Sequence, residues 1–417
     1  MSDVDALLAG LDESRSWRED FYRELHRHPE LSHSETNTAK RISDRLRDFG
    51  YAVVAPVGGT GVVGVLENGR GRTVLLRADM DALPVREDTG LPYASTDETT
   101  DDEGEGVPIS HACGHDVHVT SLLGAAELFA RHTDDWSGTL VALFQPAEEA
   151  SDGARQMVDD GLGDRVPTPD VALAQHVLPF PAGRVGTRPG PVLSAADSLR
   201  ITVHGRGGHG SMPQATIDPV VLGALIVVRL QMIVSREIAP SETAVLTVGS
   251  LQAGTKSNVI ADHAVLQLNL RTYSTATRER MIAAIRRVVA AECAASGSPK
   301  EPEIEFFDQY PLTDNDPDTT DSVARAFRAH FGEAAFELPQ QTASEDFSDL
   351  PDAFGIPYTY WGIGGTDPDQ YARAEKAGRV QDDIPVNHSP AFAPVIQPTL
   401  DTGTAALVVA AAEFLGV

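Results

Sequence analysis

Residues 110–118 read Ser-His-Ala-Cys-Gly-His-Asp-Val-His, with Cys113 and His115 flanking one glycine and His111 and His118 close by. A thiolate and an imidazole at that spacing can grip one divalent cation if the backbone is extended, because residues i and i+2 then face the same way. The same residues also suit a nucleophilic thiol paired with histidine, or a small buried hydrophobe. Three other stretches bear on that choice. Residues 139–149 read as a buried strand that stops at Pro146 and delivers Glu148 and Glu149 beyond its end. Adjacent carboxylates there point to different sides, so one can bind a cation while the other stays free for proton transfer. Residues 73–84 form a second apolar strand that presents Asp79 and Asp81 on a common face. His176 ends an apolar run that starts at Val171, and Asn387-His388-Ser389-Pro390 sets a histidine in a polar loop. Hydrolytic metal sites in open α/β sheets gather side chains from several strand ends, and thiol, imidazole and carboxylate all occur at such places here.

The elements that must carry these groups alternate. Residues 16–50 have helical periodicity, and short strands are expected at 51–57, 61–66 and 73–80. A helix over 117–132 then leads to the strand before Glu148. The implied fold class is α/β, a mostly parallel sheet with helices on both faces. The middle of the chain changes rhythm: strand 198–204, helix 219–236, strands 243–251 and 264–271, helix 277–295, strand 303–307. That order is ferredoxin-like, an inserted α+β domain. Pro-rich edges at 188–191 and 298–302 set its expected limits at 191–302, leaving 1–190 and 303–417 as one discontinuous domain. Residues 96–106 read as a solvated acidic loop, and their spacing does not match an EF-hand calcium loop.

With 417 residues, two domains are expected, and 41% hydrophobic residues suffice for their cores. Acidic residues outnumber basic ones 61 to 33, a net charge of −28, which argues against nucleic-acid or anionic-membrane partners. Lysine occurs only at Lys40, Lys256, Lys300 and Lys376. An acidic, lysine-poor surface suits a salt-rich cytoplasm, and coding bias toward arginine gives the same pattern. Two cysteines make no disulfide framework, and Cys293 reads as a packed helix residue. The N-terminus lacks a basic region followed by an apolar one, residues 219–234 look too short to span a bilayer, and residues 405–415 read as a docking helix. The expected location is the cytoplasm.

Taken together, Arg77-Ala-Asp-Met-Asp-Ala-Leu-Pro84, His111-Ala-Cys-Gly-His-Asp116, Phe144-Gln-Pro-Ala-Glu-Glu149 and Gly205-Arg-Gly-Gly-His-Gly210 resemble, in order, the M20 metallopeptidase family. The resemblance covers nearly the full length. It is to the amidohydrolase branch that includes hippurate hydrolases and plant auxin-conjugate hydrolases. It implies a catalytic domain interrupted by a lid that mediates dimerisation, and a small-molecule substrate. It places Cys113, His115, Glu149, His176 and His388 on ligands of two divalent ions, with Zn²⁺ or Mn²⁺ foremost and Co²⁺ or Ni²⁺ also open. Glu148 falls on the general base, and Asp81 on a carboxylate orienting a ligand histidine. His209 falls on a histidine that polarises the scissile carbonyl, often from the partner subunit. Asn258 and Arg271 fall on contacts to the substrate carboxylate, with a looser local match. The sequence departs from the pattern at Ala150, where glycine is usual, and at Gln214, where many members have histidine.

The implied activity is metal-dependent hydrolysis of N-acyl amino acids to a carboxylic acid and a free amino acid. Its rivals are a carboxypeptidase or dipeptidase of the same family, a metal-free enzyme using Cys113 as nucleophile, and a non-catalytic metal-binding homologue. Each lone residue also has a plainer reading: His209 as a turn residue, Arg271 as a strand-surface charge, His111 as a packing residue and His118 as a helix residue able to reach the site. His26, His28 and His33 resemble a second metal cluster but read as helix-terminus and loop residues.

Overall fold

Strands covered on both faces are apolar along their length, and Thr73–Asp79 and Gly138–Gln145 are buried at nearly every position. The computed structural model describes residues 3–100 and 104–417. Its main sheet has eight strands: β1 (Ala52–Val57), β2 (Gly61–Asn68), β3 (Thr73–Asp79), β4 (Gly138–Gln145), β5 (Val171–Pro181), β6 (Val185–Thr187), β7 (Ala335–Glu337) and β8 (Tyr358–Thr366). They lie in the order β1-β2-β4-β3-β5-β8-β6-β7. The central four, β4-β3-β5-β8, are parallel, as the strand-helix alternation requires. β1, β2 and β6 join antiparallel.

Five helices supply side chains to the core around this sheet: α1 (Leu11–Arg27), α2 (Thr36–Asp48), α3 (His115–Arg131), α4 (Pro317–Phe331) and α5 (Ile396–Ala412). α3 is buried from His115 to Phe129 and shares one core with α1, α5 and the sheet. A helix enclosed all round must be apolar all round, hence its run of Val, Leu and Ala. The expected acidic loop at 96–106 is instead a ribbon, with Glu98–Thr100 pairing antiparallel with Gly106–Pro108. Residues 101–103 between them lie outside the described residues, as do Met1 and Ser2 of the expected leaderless N-terminus.

The chain splits into two compact units: Met1–Val192, Asp314–Gln340 and Asp346–Val417 in one, Leu193–Thr313 and Gln341–Glu345 in the other. The expected limit at 302 needs correction. The strand Glu303–Tyr310 pairs with Ala195–His204 and so belongs to the inserted unit. The Pro-rich stretch before it is only a turn, in which the Ser298 hydroxyl donates to the carbonyls of His204 and Lys300. The second unit has the sheet order Ala244–Ala253, His263–Thr272, Ala195–His204, Glu303–Tyr310, all antiparallel. Helices Pro219–Glu237 and Thr275–Ala295 supply core residues packed with that sheet, Cys293 among them, and this is the ferredoxin-like arrangement. Pro219–Glu237 is longer than its apolar run suggested. By length and composition it meets the measure of a membrane-crossing helix. Its inner face, Leu222, Ile226, Leu230 and Ile233, is core, while Val221, Leu225 and Val228 are exposed.

Candidate metal centre

β3, β4 and β5 end side by side, and the chemistry collects just past those ends, as in other open parallel sheets. Asp79 closes β3 and Asp81 follows two residues on. Glu148 and Glu149 come after β4, His176 lies within β5, Cys113 and His115 enter α3, and His388 stands in its loop at φ 70°. The His115 Nδ1–H donates to Asp81 Oδ1 at 3.1 Å. In the neutral ring that a bound metal requires, this fixes the tautomer, and Nε2 is buried without a hydrogen-bond partner. Around this nitrogen stand Asp79 Oδ2 at 3.7 Å, Glu149 Oε1 at 3.8 Å and Glu148 Oε2 at 3.9 Å. His176 donates Nδ1–H to the Val177 carbonyl at 2.8 Å and turns Nε2 to within 3.4 Å of Cys113 Sγ. His388 Nε2 is 3.3 Å from Glu149 Oε1. Donor atoms of Cys113, Glu149 and His388 lie within 4.8 Å of one another, as do those of His115, Glu148 and Glu149, and those of Asp79, His115, His118 and His176. All five expected ligands therefore meet, with Glu148 beside them.

The buried charges of the site offset one another pair by pair. Burial opposes a charge on His115, but Asp79, then Asp81 and Glu149, outweigh it and push the imidazole up to about 10. Burial alone would raise Asp79, yet His115, His118 and Arg77 hold it well below the usual carboxylate range. Burial, followed by the charges of Glu149 and Glu148, pushes the Cys113 thiol well above its ordinary value. An activated nucleophilic cysteine needs the opposite shift, so the protein's own groups do not favour the metal-free reading. A buried imidazole nitrogen without a partner, ringed by carboxylates, histidines and a thiol, is a donor set that divalent cations satisfy. The residues fit the group.

The approach of Cys113 and His115 differs from the expected extended backbone. Gly114 has φ +86°, its N–H closes a turn on the His111 carbonyl at 3.1 Å, and His115 already starts the helix. A Cβ at Gly114 would stand 2.4 Å from Val177 Cγ1, so glycine is required both by conformation and by space. His118 is no spare ligand. Its Nδ1–H donates to Asp79 and its Nε2 accepts the Val177 N–H at 2.8 Å, which ties β3 to the strand that carries His176. Asn387 was not singled out by sequence, yet its amide donates to the carbonyls of Cys113 and Val177, both at 3.1 Å. Arg77 donates to Asp79 at 2.7 Å and to Gln145 at 2.8 Å, bracing the carboxylate from behind.

In the second unit, His209 is exposed, and its Nδ1 accepts the Ser211 N–H at 3.1 Å, which leaves the ring proton on Nε2. Asn258 adjoins it, accepting the Gly210 N–H at 2.8 Å. Arg271 donates to Ser344 Oγ at 2.7 Å and to the Thr342 carbonyl at 3.2 Å, within the same unit.

The three N-terminal histidines do not converge. His28 faces Asp97 and His33 faces Asp152, both at the surface. His26 is buried, 2.6 Å from Asp116 Oδ2 and 3.1 Å from Glu87 Oε1. Burial opposes its charge, but Asp116 and Glu87 outweigh it and push it up to about 10. A histidine raised on folding stabilises the native state fully below its unfolded value of about 6.5, and that contribution fades as pH rises toward 10. Melting temperature should therefore fall between pH 6.5 and 10, and His26→Gln should be less stable at pH 6 with a flatter profile. Parallel profiles for the two proteins would contradict the assignment. His111 is buried with neither ring nitrogen hydrogen-bonded, and burial pushes it down to about 4, a packing residue in neutral form.

A family model described as Peptidase family M20/M25/M40 matches residues 75–385. Thermostable carboxypeptidase 1 of Saccharolobus solfataricus is 35% identical over 99% of this chain and 98% of its own length. Hippurate hydrolase of Campylobacter jejuni is 37% identical over 78% of this chain and 82% of its own. A solved structure of a Bacillus subtilis dinuclear metal-binding peptidase from the M20 family superposes with a TM-score of 0.76 at 28% identity, covering 96% of this chain and 98% of that one. Fold, donor set and relatives define an amide-hydrolysing enzyme with a candidate metal site. The chain belongs to peptidase family M20/M25/M40.

Proposed function

We propose that this enzyme hydrolyses N-acyl amino acids of the hippurate-like, N-acetyl or aryl-acyl kind to a carboxylic acid and a free amino acid. The observation that carries the reading is the buried, unpartnered His115 Nε2, enclosed by Asp79, Glu148 and Glu149 while Asp81 holds the other ring nitrogen. Cys113, His115, Glu149, His176 and His388 would hold two divalent ions, of which Zn²⁺ and Mn²⁺ suit the mixed shell best and Co²⁺ or Ni²⁺ also suit it. Bound there, the ions supply Lewis acidity to the amide and lower the pKa of the attacking water. Glu148 takes the water's proton and returns it to the leaving nitrogen. The resemblance gives the His209 Nε2–H, often that of the partner subunit, the role of stabilising the carbonyl oxygen as it gains charge, worth roughly 3 kcal/mol for one donor. Asn258 and Arg271 hold the carboxylate of the amino-acid half, the guanidinium by its charge and its remaining N–H groups.

A carboxypeptidase reading has its own support, the full-length relative of that name. Both substrate classes carry the free carboxylate that Arg271 would hold. The proposal extends to a cytoplasmic homodimer joined through the second unit, whose helix Pro219–Glu237 leaves Val221, Leu225 and Val228 exposed.

Elemental analysis, paired with a panel of N-acyl amino acids and C-terminally free peptides before and after chelation, tests the reading. The expected result is bound metal, turnover fastest on N-acyl amino acids, and loss on chelation that Mn²⁺ or Zn²⁺ restores. Faster turnover of peptides would move the assignment to a carboxypeptidase. Chelator-insensitive turnover that dies on thiol alkylation would move the chemistry to Cys113.

A further inference from the structure

Residues 25–35, Leu-His-Arg-His-Pro-Glu-Leu-Ser-His-Ser-Glu, give no donor to the metal centre, yet Ser32, His26 and Glu35 reach groups that adjoin its donors in the chain or hold them in place. Ser32 Oγ donates to Asp81 Oδ2 at 2.7 Å, and His26 holds Asp116, the neighbour of His115. Glu35 reaches furthest. It is fully buried, its Oε1 accepting the backbone N–H of Ala147 at 2.8 Å and of His33 at 3.1 Å, its Oε2 accepting the Thr60 hydroxyl at 2.6 Å.

Ala147 directly precedes Glu148 and sits at φ +50°, a left-handed conformation that a residue with a Cβ adopts only when its surroundings impose it. On the other side of Glu148, the Glu149 N–H donates to Asp81 Oδ2 at 3.0 Å. The amides flanking Glu148 on both sides are thus anchored to buried carboxylates. The arrangement is costly, since burial and the nearby charge of Asp81 both push the Glu35 carboxyl up. An apolar side chain would spare that cost but would leave the Ala147 amide without its acceptor.

We infer that Glu35 is a positioning residue for the hydrolysis: by anchoring the turn at Ala147 it aims the Glu148 carboxylate into the centre. The inference rests on Glu148 as the proton carrier.

The test uses the metal-loaded enzyme in three variants, Glu35→Gln, Glu35→Ala and Glu148→Gln. Glutamine keeps an oxygen for the two amides, and the Thr60 hydroxyl can reverse its role and accept from the new NH₂. Glu35→Ala should lower kcat roughly 100-fold, the scale of a small misplacement of a reacting group, with KM and metal content little changed and a lower melting temperature from the donors left without an acceptor. Glu35→Gln should restore most of kcat. If the alanine variant does not fold, Glu35→Leu, which fills similar volume without an acceptor, takes its place. A Glu35→Ala enzyme with normal kcat would overturn the inference. So would a Glu35→Gln enzyme as impaired as the alanine variant, or a loss of kcat matched by loss of metal. Glu148→Gln separates the two claims. If it keeps turnover, the proton-carrier reading itself falls; if it is dead while Glu35→Ala is active, only the role of Glu35 falls.

Discussion

Glu148→Gln is expected to lower kcat by about 10²–10⁴-fold, the usual contribution of a positioned proton carrier, while metal content stays at the wild-type level. The separation of effects follows from the geometry. His115 Nδ1–H, the Asp81 carboxylate and the Glu149 backbone amide form a connected set that does not pass through the Glu148 side chain. Glutamine matches glutamate in shape and keeps one oxygen, but it cannot accept a proton from water and pass it to a leaving nitrogen. The loss should therefore fall on kcat and leave metal binding intact, which single-turnover kinetics together with elemental analysis would resolve. A variant that keeps near-normal kcat with its metal in place would exclude Glu148 as the proton carrier. Loss of metal together with activity would instead make it a ligand.

The parts of this site legible in sequence are those written as local motifs. Asp79, Asp81, Glu148 and Glu149 lie at or just past apolar strand ends, and the parallel sheet sets those ends side by side. Cys113 and His115 were legible as residues but not in their path, because a left-handed glycine replaces the extended backbone that the spacing suggests. The groups that hold the ligands were harder to see. His118 acts through Val177, Asn387 through the carbonyls of Cys113 and Val177, and Glu35 through the amide of Ala147, over separations of 59 to 274 residues. No periodicity marks a single polar residue whose partner is a distant backbone group. The inserted unit was legible from its strand-helix order, and its end was misplaced because a Pro-rich turn inside a domain carries the same local signal as a linker.

Asp81→Asn should weaken metal binding by roughly 10–100-fold, the range for groups that orient a ligand histidine. The carboxylate serves two sides at once: Oδ1 accepts the His115 Nδ1–H, while Oδ2 accepts the Ser32 hydroxyl and the Glu149 N–H. An asparagine has one oxygen for these two duties. If that oxygen faces Glu149 and Ser32, the NH₂ faces His115 Nδ1, and the ring proton must move to Nε2, closing the nitrogen that would bind metal. If it faces His115, the NH₂ meets the Glu149 N–H, two donors oppose each other in a buried space, and the backbone that carries Glu149 is pushed away. Either orientation damages a ligand, so the effect does not depend on which way the amide settles. Competition with a chromophoric chelator measures the affinity directly, before any question of turnover. Binding as tight as in the wild type would mean that the centre does not depend on the His115 tautomer. The two-sided role of Asp81 would then be a packing arrangement only.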